Sequence, residues 1–539
     1  MMAKELQSAS RGAELDQMLT LGDIARTYAR ERPEAIALSF EGRYTTFADF
    51  ERHSNQVARA LLAEMLGSGA RIAYIGKNCD RYFEVLFGAA KAGVVLTPIS
   101  WRLSVTEIAF ILEDSGATML FVGPEMTAHA QQALSRLSQK LKVIHIEPTD
   151  TAGSVLYEVW RDMHSVDDVS IAIDQDQVAV QMYTSGTTGR PKGAMLTHAN
   201  LLSGRRVAAM SQQLTWYTWG PYDISLVAMP VSHVGGTVWG IIGLFNGAKG
   251  VIAREFDPLK VLDFIEREGI SQIFMVPAAL QIVVRQPRAR EIDFSRLKCI
   301  QYGASPIPLD LLRECMEVFG CGFCQQYGMT ETSGTIVYLP PEDHSPEGNP
   351  RMRAAGLPMP GVELKIVDAH GDTLPPNAVG EVATRSVANM AGYWRMAQAT
   401  AATIDDKGWL RTGDAGYLDE DGYLYIHDRV KDMIISGGEN IYPAEVENAI
   451  YGHPDVAEVA VIGVPDEKWG EAVKAIVAPK PGAKPDPNDI IAFTRSQIAG
   501  YKVPKSIDFI DALPRNASGK VLRRALREPY WTGHARRVN

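Results

Sequence analysis

The residues best suited to chemistry lie in one run, Tyr183-Thr-Ser-Gly-Thr-Thr-Gly-Arg-Pro-Lys-Gly193, directly after the apolar stretch Val178-Ala-Val-Gln-Met182. Gly186, Gly189 and Gly193 let the main chain approach a ligand closely and turn its amides toward it. Thr184, Ser185, Thr187 and Thr188 add hydroxyl donors, and Lys192 adds a positive charge. Such a loop suits a polyphosphate. It is not a Walker A pattern, because Gly-Lys-Ser/Thr is missing and Pro191 precedes the lysine. A plain surface loop is also rich in Gly and Thr, but this density directly after a buried strand favours a ligand.

Further loops follow in order: Tyr302-Gly-Ala-Ser-Pro306, Gln326-Tyr-Gly-Met-Thr-Glu331, Thr412-Gly-Asp414, Asp428-Arg-Val-Lys431 and Pro514-Arg-Asn-Ala-Ser-Gly-Lys520. Taken singly, each reads as an ordinary turn. In this order and spacing they form a pattern, and over about residues 20–528 the chain resembles the adenylate-forming (ANL) superfamily. Within it the likeness is to acyl-CoA synthetases, relatives of luciferases and of peptide-synthetase adenylation domains. The segment 431–471, with Ile-Ile-Ser-Gly-Gly-Glu-Asn and Pro-Asp-Glu-Lys-Trp-Gly-Glu, looks most like bacterial fatty-acid–CoA ligases.

The resemblance implies a reaction in two halves. A carboxylate attacks the α-phosphate of Mg-ATP to give acyl-AMP and pyrophosphate, and the coenzyme A thiol then displaces AMP. It implies an adenylation domain over 1–429, holding ATP and the acyl group, and a mobile domain over 430–539. Thr184, Ser185, Gly186, Thr187, Thr188, Gly189 and Lys192 would hold the β- and γ-phosphates. Two anions must meet in the first step, so positive charge and oriented donors have to neutralise them. Glu331, beside Thr330, would bind Mg2+ as a hard oxygen ligand. Tyr327 and the main chain of Gly303, Ala304 and Ser305 would pack and read the adenine, and Gln326, Gly328 and Thr330 would belong to the same nucleotide site. Asp414 is acceptor-only and suits the ribose hydroxyls, with Arg429 as a second ribose contact.

Lys520 would bridge the substrate carboxylate and the α-phosphate when the small domain closes. For the second half, rotation about the hinge Lys431 would withdraw Lys520 and present Gly437 and Gly438, whose missing side chains leave a narrow pantetheine channel clear. His233 matches the place of a gate beside the substrate carboxylate, although a lone His in an apolar stretch is often a core residue. Gly235, Gly236, Trp239 and Thr332 would line the acyl cavity. No Arg or Lys stands among them, which disfavours dicarboxylates and amino acids. The expected substrate is a hydrophobic monocarboxylate, a medium- or long-chain fatty acid. An aromatic acid of benzoate or cinnamate type, or loading of a carrier protein, is the alternative.

The elements that must position these loops alternate between strand and helix. Arg71–Ile75 reads as a strand, 81–92 as a helix stopped by Gly93, and 94–97 as the next strand. Ser104-Val-Thr-Glu107 is a capping box, its helix ending near Gly116 before a strand over 118–122. The grammar recurs with a strand at 250–253, a helix opened by Asp257-Pro258 and stopped by Gly269, and a strand at 272–276. This predicts an α/β protein whose large N-terminal domain has parallel-rich sheets covered by helices. The last part predicts a small mobile α+β domain of about 110 residues. Its helix is opened by Pro443 and stopped at Gly452-His453-Pro454, a second helix lies near 490–498, and strands lie at 459–464, 473–478 and 507–510.

Composition narrows the partners. The chain has 539 residues and a net charge of −10, which argues against nucleic acid. The uncharged stretch 224–248 contains Pro230, Ser232, His233 and Asn246, so it reads as core lining a cavity rather than a membrane span. No apolar leader stands in the first 20 residues, and a cytoplasmic location is expected. The five cysteines, including the pair Cys321 and Cys324, read as buried side chains in a reducing compartment. The five arginines between Arg523 and Arg537 read as a solvated end, with weak peripheral membrane contact as the alternative. The expected assembly is a monomer or homodimer.

Overall fold

The computed structural model describes residues 15, 17–151, 153–169, 171–184, 190–210, 214, 219–429, 432–437, 439–515 and 521–532. Two large sheets carry the N-terminal domain. In the first, of eight strands, Arg71–Ile75, Val95–Ile99, Met119–Val122 and Lys142–His145 run parallel. Val178–Thr184 joins beside Val95–Ile99, and Lys192–Thr197 returns antiparallel to it. The second sheet, of nine strands, has a parallel centre of Ile224–Val227, Lys249–Ile252, Gln272–Met275, Cys299–Gly303 and Gly322–Met329. The expected α/β architecture is therefore present, with strand ends moved by one or two residues.

Local chemistry sets the helix limits. The helix Asp80–Ala92 stops at Gly93, which takes the left-handed conformation with φ 70°. In the helix Val105–Ser115, the Ser104 amide donates to Glu107 Oε2 at 2.8 Å and the Glu107 amide to Ser104 Oγ at 3.3 Å. Asp257 caps the helix Pro258–Glu268 by accepting from the amides of Leu259 and Lys260, and Pro258 fills a first-turn position that needs no N–H partner.

Two helices are gripped where the large sheets meet. Every residue of Asp80–Ala92 is buried. It faces Val234–Phe245, where Tyr82 and Thr237 share a hydroxyl hydrogen bond of 2.6 Å. A Cβ on Gly240 would lie 2.3 Å from the Phe83 ring, so that glycine permits the close approach. The uncharged stretch 224–248 is thus a buried strand and helix. Among the described residues no helix is long and apolar enough to cross a membrane. Cys79, Cys299, Cys315 and Cys324 are buried, and burial pushes the Cys315 thiol up to about 12.

An antiparallel four-stranded sheet, Glu363–Val367, Gly380–Arg385, Leu410–Leu418 and Leu424–Arg429, completes the N-terminal domain. The C-terminal domain has a core of its own around Ile434, Val446, Ile450, Val461 and Val477. Its long hairpin Val456–Asp466 and Gly470–Pro479 exceeds the expected strands at both ends. The reading of the Arg-rich end as solvated needs correction. Arg523–Trp531 is a helix packed on that hairpin, with Trp531 Nε1 donating to the Gly463 carbonyl at 2.9 Å. Arg523 is mostly buried in ion pairs, while Arg536 and Arg537 lie outside the described residues. Alternating charge and aromatic residues hid an amphipathic helix there.

Glu84 is a buried carboxylate of the helix Asp80–Ala92. It accepts from Tyr157 and Arg161 at 2.8 Å each and meets His53 Nδ1 at 2.8 Å. Burial pushes its carboxyl up, but His53, Arg161 and Tyr157 outweigh that and hold it down to about 2. A depressed folded-state pKa gives stability that is present above the unfolded carboxylate value and is lost as pH falls toward 2. Glu84→Gln is expected to cost on the order of 3 kcal/mol in urea unfolding at pH 7, and the deficit should shrink as the unfolding pH is lowered from 5 toward 2.

Candidate functional site

The phosphate-type run forms a hairpin. Val178–Thr184 pairs antiparallel with Lys192–Thr197 so that Thr184 lies opposite Lys192. Ser185, Gly186, Thr187, Thr188 and Gly189 lie outside the described residues. At the mouth, Thr184 Oγ1 donates to Glu331 Oε1 at 3.1 Å, and Tyr393 donates to the same oxygen at 2.8 Å. The Lys192 ammonium stands 4.9 Å from the centre of the Tyr393 ring. Burial and then the neighbouring Glu331 charge raise the Tyr393 phenol, which keeps it a donor. Tyr393 was missed in the sequence. It comes from the two-residue strand Gly392–Tyr393, paired with Lys192–Thr197, and no motif marks it.

These residues fit a magnesium nucleotide. Both hydrogen bonds to Glu331 fall on Oε1, and Oε2 has no hydrogen bond to a described residue. No group of three His, Cys, Asp or Glu could hold a metal alone among the described residues. A single carboxylate supplemented by phosphate oxygens and water is the ordinary way to bind Mg2+, and Glu331 suits it.

The next three loops converge through backbone contact. Cys299–Gly303 lies parallel to Gly322–Met329 with Gly303 opposite Gln326, and a Cβ on Gly303 would sit 2.1 Å from the Gln326 carbonyl oxygen. Gly328 is equally constrained, 1.9 Å from the Gly334 carbonyl oxygen by the same measure. Ala304 adopts φ 67°, a conformation costly for a residue with a Cβ. Ala304 and Ser305 are exposed beside the sheet edge. Gln326 does not face outward. Its side chain is held between Gln301 and the Thr335 hydroxyl, which donates to Oε1 at 2.7 Å.

Asp414 is 6% exposed and is held from both sides. Tyr327 donates to Oδ2 at 2.6 Å, and Arg429 Nε pairs with Oδ1 at 2.8 Å. Asp414 and Arg429 are direct partners across the antiparallel strands Leu410–Leu418 and Leu424–Arg429. Arg429 also donates to the Thr412 carbonyl at 3.1 Å. Burial, followed by the Asp414 charge, pushes the Tyr327 phenol up, so it stays protonated and donating. Burial opposes the Arg429 cation, but Asp414 and its neighbours raise it above its ordinary value. A carboxylate held rigidly in this way still has lone pairs for sugar hydroxyls.

Beyond the nucleotide end, His233 is half-buried and precedes the helix Val234–Phe245. Gly235 packs against Phe274, and Gly236 against the Pro230 carbonyl, where a Cβ would lie 2.2 Å away. Trp239 is buried against Trp219 and donates to the Leu226 carbonyl at 3.0 Å. The Thr332 hydroxyl is used within its own turn, accepting from the Met329 amide at 3.0 Å and donating to the Gly334 carbonyl at 2.8 Å. A cavity of about 70 Å3 lies nearby, lined by Arg205, Val207, Ile242, Thr335, Met359 and Val387 among others. Val207 and Val387 are exposed, so the cavity reaches the surface there.

Arg205 lines this cavity beside Ser333 and Thr335, a cation that the sequence reading did not place there. It projects from the helix His198–Met210, a segment without any chemical motif, and its guanidinium binds the carbonyls of Leu201 and, at 3.1 Å, Ser333. Lys431, Gly438 and Lys520 lie outside the described residues. Gly437 adopts φ 62° and packs on Trp469, where a Cβ would meet the ring at 2.7 Å, so turn geometry itself requires a glycine there.

Comparison with known proteins identifies the family. The family model for the AMP-binding enzyme matches residues 25–394, and that for the AMP-binding enzyme C-terminal domain matches 445–520. The chain is 43% identical over 524 residues to the fatty acid–[acyl-carrier-protein] ligase ScoC of Streptomyces coeruleorubidus, covering 97% of this chain and 99% of that one. It is 37% identical over 513 residues to a feruloyl-CoA synthase of an Amycolatopsis species, covering 95% and 99%. The crystal structure of ATP-bound MatB from Rhodopseudomonas palustris superposes with a TM-score of 0.84 at 29% identity, covering 95% and 100%.

Tyr327→Phe removes the 2.6 Å donor to Asp414 while keeping the ring. It is expected to weaken ATP binding about five- to tenfold, and Arg429→Ala by more, in isothermal titration calorimetry. Unchanged ATP affinity in both variants would remove this pair from the nucleotide site.

Proposed function

We propose, for a chain that belongs to the AMP-binding enzyme family, that its acid is a hydrophobic monocarboxylate of medium or long chain. The chain is an AMP-forming acid–thiol ligase of the adenylate-forming superfamily. What it activates is our reading, and the observation that carries it is the shape of the acyl-end cavity. Its volume of about 70 Å3 is far below the roughly 300–1,000 Å3 of an ordinary ligand site. Its walls include Val207, Ile242, Met359 and Val387, and it reaches the surface between exposed valines. A flexible alkyl chain suits a narrow, mostly apolar cavity that opens to the surface better than a rigid ring does.

In this reading the main-chain amides and hydroxyls of 184–189, with Lys192, hold the β- and γ-phosphates. Tyr327, Asp414 and Arg429 fix the nucleoside so that the α-phosphate meets the carboxylate in line. When bound at Glu331, Mg2+ supplies further neutralisation of phosphate charge. Lys520 pairs with both the carboxylate and the α-phosphate as their charges merge, which lowers the barrier most where charge develops. The carbonyl of acyl-AMP then has a good leaving group, so the thiol of coenzyme A displaces AMP mainly through positioning. His233 stands beside the reacting carboxylate, and the small domain turns about Lys431 between the two halves.

A second reading concerns the acceptor. The 43% identity to an enzyme described as loading an acyl-carrier protein favours a carrier thiol in place of free coenzyme A. An aromatic acid is the corresponding alternative for the substrate, favoured by the 37% identity to a feruloyl-CoA synthase.

Pyrophosphate release from ATP should be measured across fatty, aromatic and dicarboxylic acids, each with coenzyme A, with a holo-carrier protein and with neither. Release peaking on fatty acids of about eight carbons or more, with acyl-CoA as product, is the expected outcome. A maximum on ferulate-type acids would replace the fatty acid. A maximum on a dicarboxylate would assign Arg205 to its second carboxylate. Lys520→Ala should lower pyrophosphate release at least a hundredfold while thioester formation from supplied acyl-AMP continues. Equal loss of both halves would refute the rotation about Lys431.

A further inference from the structure

A buried charged cluster outside the nucleotide site lies where the two domains meet. Asp428, on the strand Leu424–Arg429, is 7% exposed. Its Oδ2 accepts from the Ala444 amide at 2.9 Å, in the first turn of the helix Pro443–Tyr451. Its Oδ1 faces Arg523 Nη1 at 3.4 Å. Arg523 in turn binds Glu447 twice, through Nη2 at 2.7 Å and Nε at 3.2 Å. Glu447 also accepts from the Val461 amide at 2.7 Å, and Arg527 stands 3.6 Å from Asp432. Beside this cluster His427 stacks on Tyr442 with centroids 4.7 Å apart.

One guanidinium therefore joins three elements. Two of them, the helices Pro443–Tyr451 and Arg523–Trp531, belong to the small domain, and the third is the last strand of the large one. Asp428 precedes 430–431 and all its small-domain partners follow, so a turn of the small domain about that segment must break its bonds to Ala444 and Arg523. The bonds between Arg523 and Glu447 survive such a turn, because both residues travel together. The cation is thus never stranded, and only the contact with Asp428 opens and closes.

We propose that Arg523, held by Glu447, is a positioning residue that clasps the small domain to Asp428 and thereby sets the balance between the two half-reactions. The clasp is shallow by construction. Burial pushes the Asp428 carboxyl up to about 6 against the opposing pull of Arg523, so desolvation offsets much of the attraction. Asp428 also adjoins Arg429, whose other side holds Asp414, so the clasp and the nucleoside contact share consecutive residues of one strand. The proposal rests on the two-step reading above.

The test uses the full-length protein carrying one fluorophore on each domain, with Arg523→Gln and Asp428→Asn made singly and together. Energy transfer is read first without substrates. Both single variants are expected to shift it in the same direction, and the double variant is expected to shift it no further than Arg523→Gln alone. On the best acid, the ratio of pyrophosphate–ATP exchange to thioester formation from supplied acyl-AMP is expected to change about tenfold in both singles. Unchanged energy transfer, or an equal fall in both half-reactions accompanied by a lowered melting temperature, would overturn the clasp and leave a purely structural ion pair. Asp428→Asn keeps the shape and one acceptor oxygen, so it serves if Arg523→Gln folds poorly. Failure of the wild type to release pyrophosphate with any acid would instead sink the activity reading, and energy transfer would still decide the clasp.

Discussion

The carboxylate of Asp414 takes a hydroxyl from Tyr327 on one side and a guanidinium from Arg429 on the other, and the organisation of the site follows from that bridge. Tyr327 belongs to the nine-stranded sheet, while Asp414 and Arg429 face each other across the four-stranded one. A buried, charge-assisted bridge of this kind costs more to break than to form, because either partner removed leaves an uncompensated group. It therefore fixes the small sheet against the large one. The preceding residue, Asp428, then meets the small domain from a strand whose position is already set.

Close backbone approach is the second constraint. Gly303, Gly328 and Gly236 sit where a Cβ would lie 1.9–2.2 Å from a carbonyl oxygen of a neighbouring segment. No relaxation of a side chain relieves such a clash, because the opposing atom is main chain. These glycines bring the loop at 303–305, the strand Gly322–Met329 and the start of the helix Val234–Phe245 to the separations at which the site exists. The left-handed Ala304 next to Gly303 is strain held at the same point.

The two ends of the site are built differently. At the nucleotide end, polar groups are paired in advance: Thr184 and Tyr393 on Glu331, Tyr327 and Arg429 on Asp414. Pre-paired donors and acceptors need little reorganisation when charge arrives, which is where electrostatic catalysis gains most. At the acyl end Val207, Ile242, Met359 and Val387 stand beside Arg205 and Thr335, and the apolar walls would select by shape and by removal of apolar surface from water. In the proposed reading the first end receives the nucleotide and the second sets which acid enters.

Much of the fold was legible in local chemistry. Gly93, Gly116 and Gly269 each stop a helix in the left-handed conformation, Ser104 and Glu107 form their capping box, and Asp257 with Pro258 opens a helix. These signals act over three or four residues, so the sequence carries them whole. The family was equally readable, because glycine and hydroxyl residues crowd into short runs in a characteristic order. What the chain could not declare were contacts between distant segments. Tyr393 reaches Glu331 across 62 positions, Arg205 reaches the Ser333 carbonyl across 128, and Arg523 reaches Asp428 across 95. Arg523 read as part of a solvated tail because its neighbours are charged, and only packing of its helix on the Val456–Asp466 hairpin strand buries it. The sequence by itself determined the elements, their caps and the class of ligand. The tertiary structure decided which side chain meets which carboxylate, because pairing at a distance depends on how sheets stack, and no local pattern encodes that.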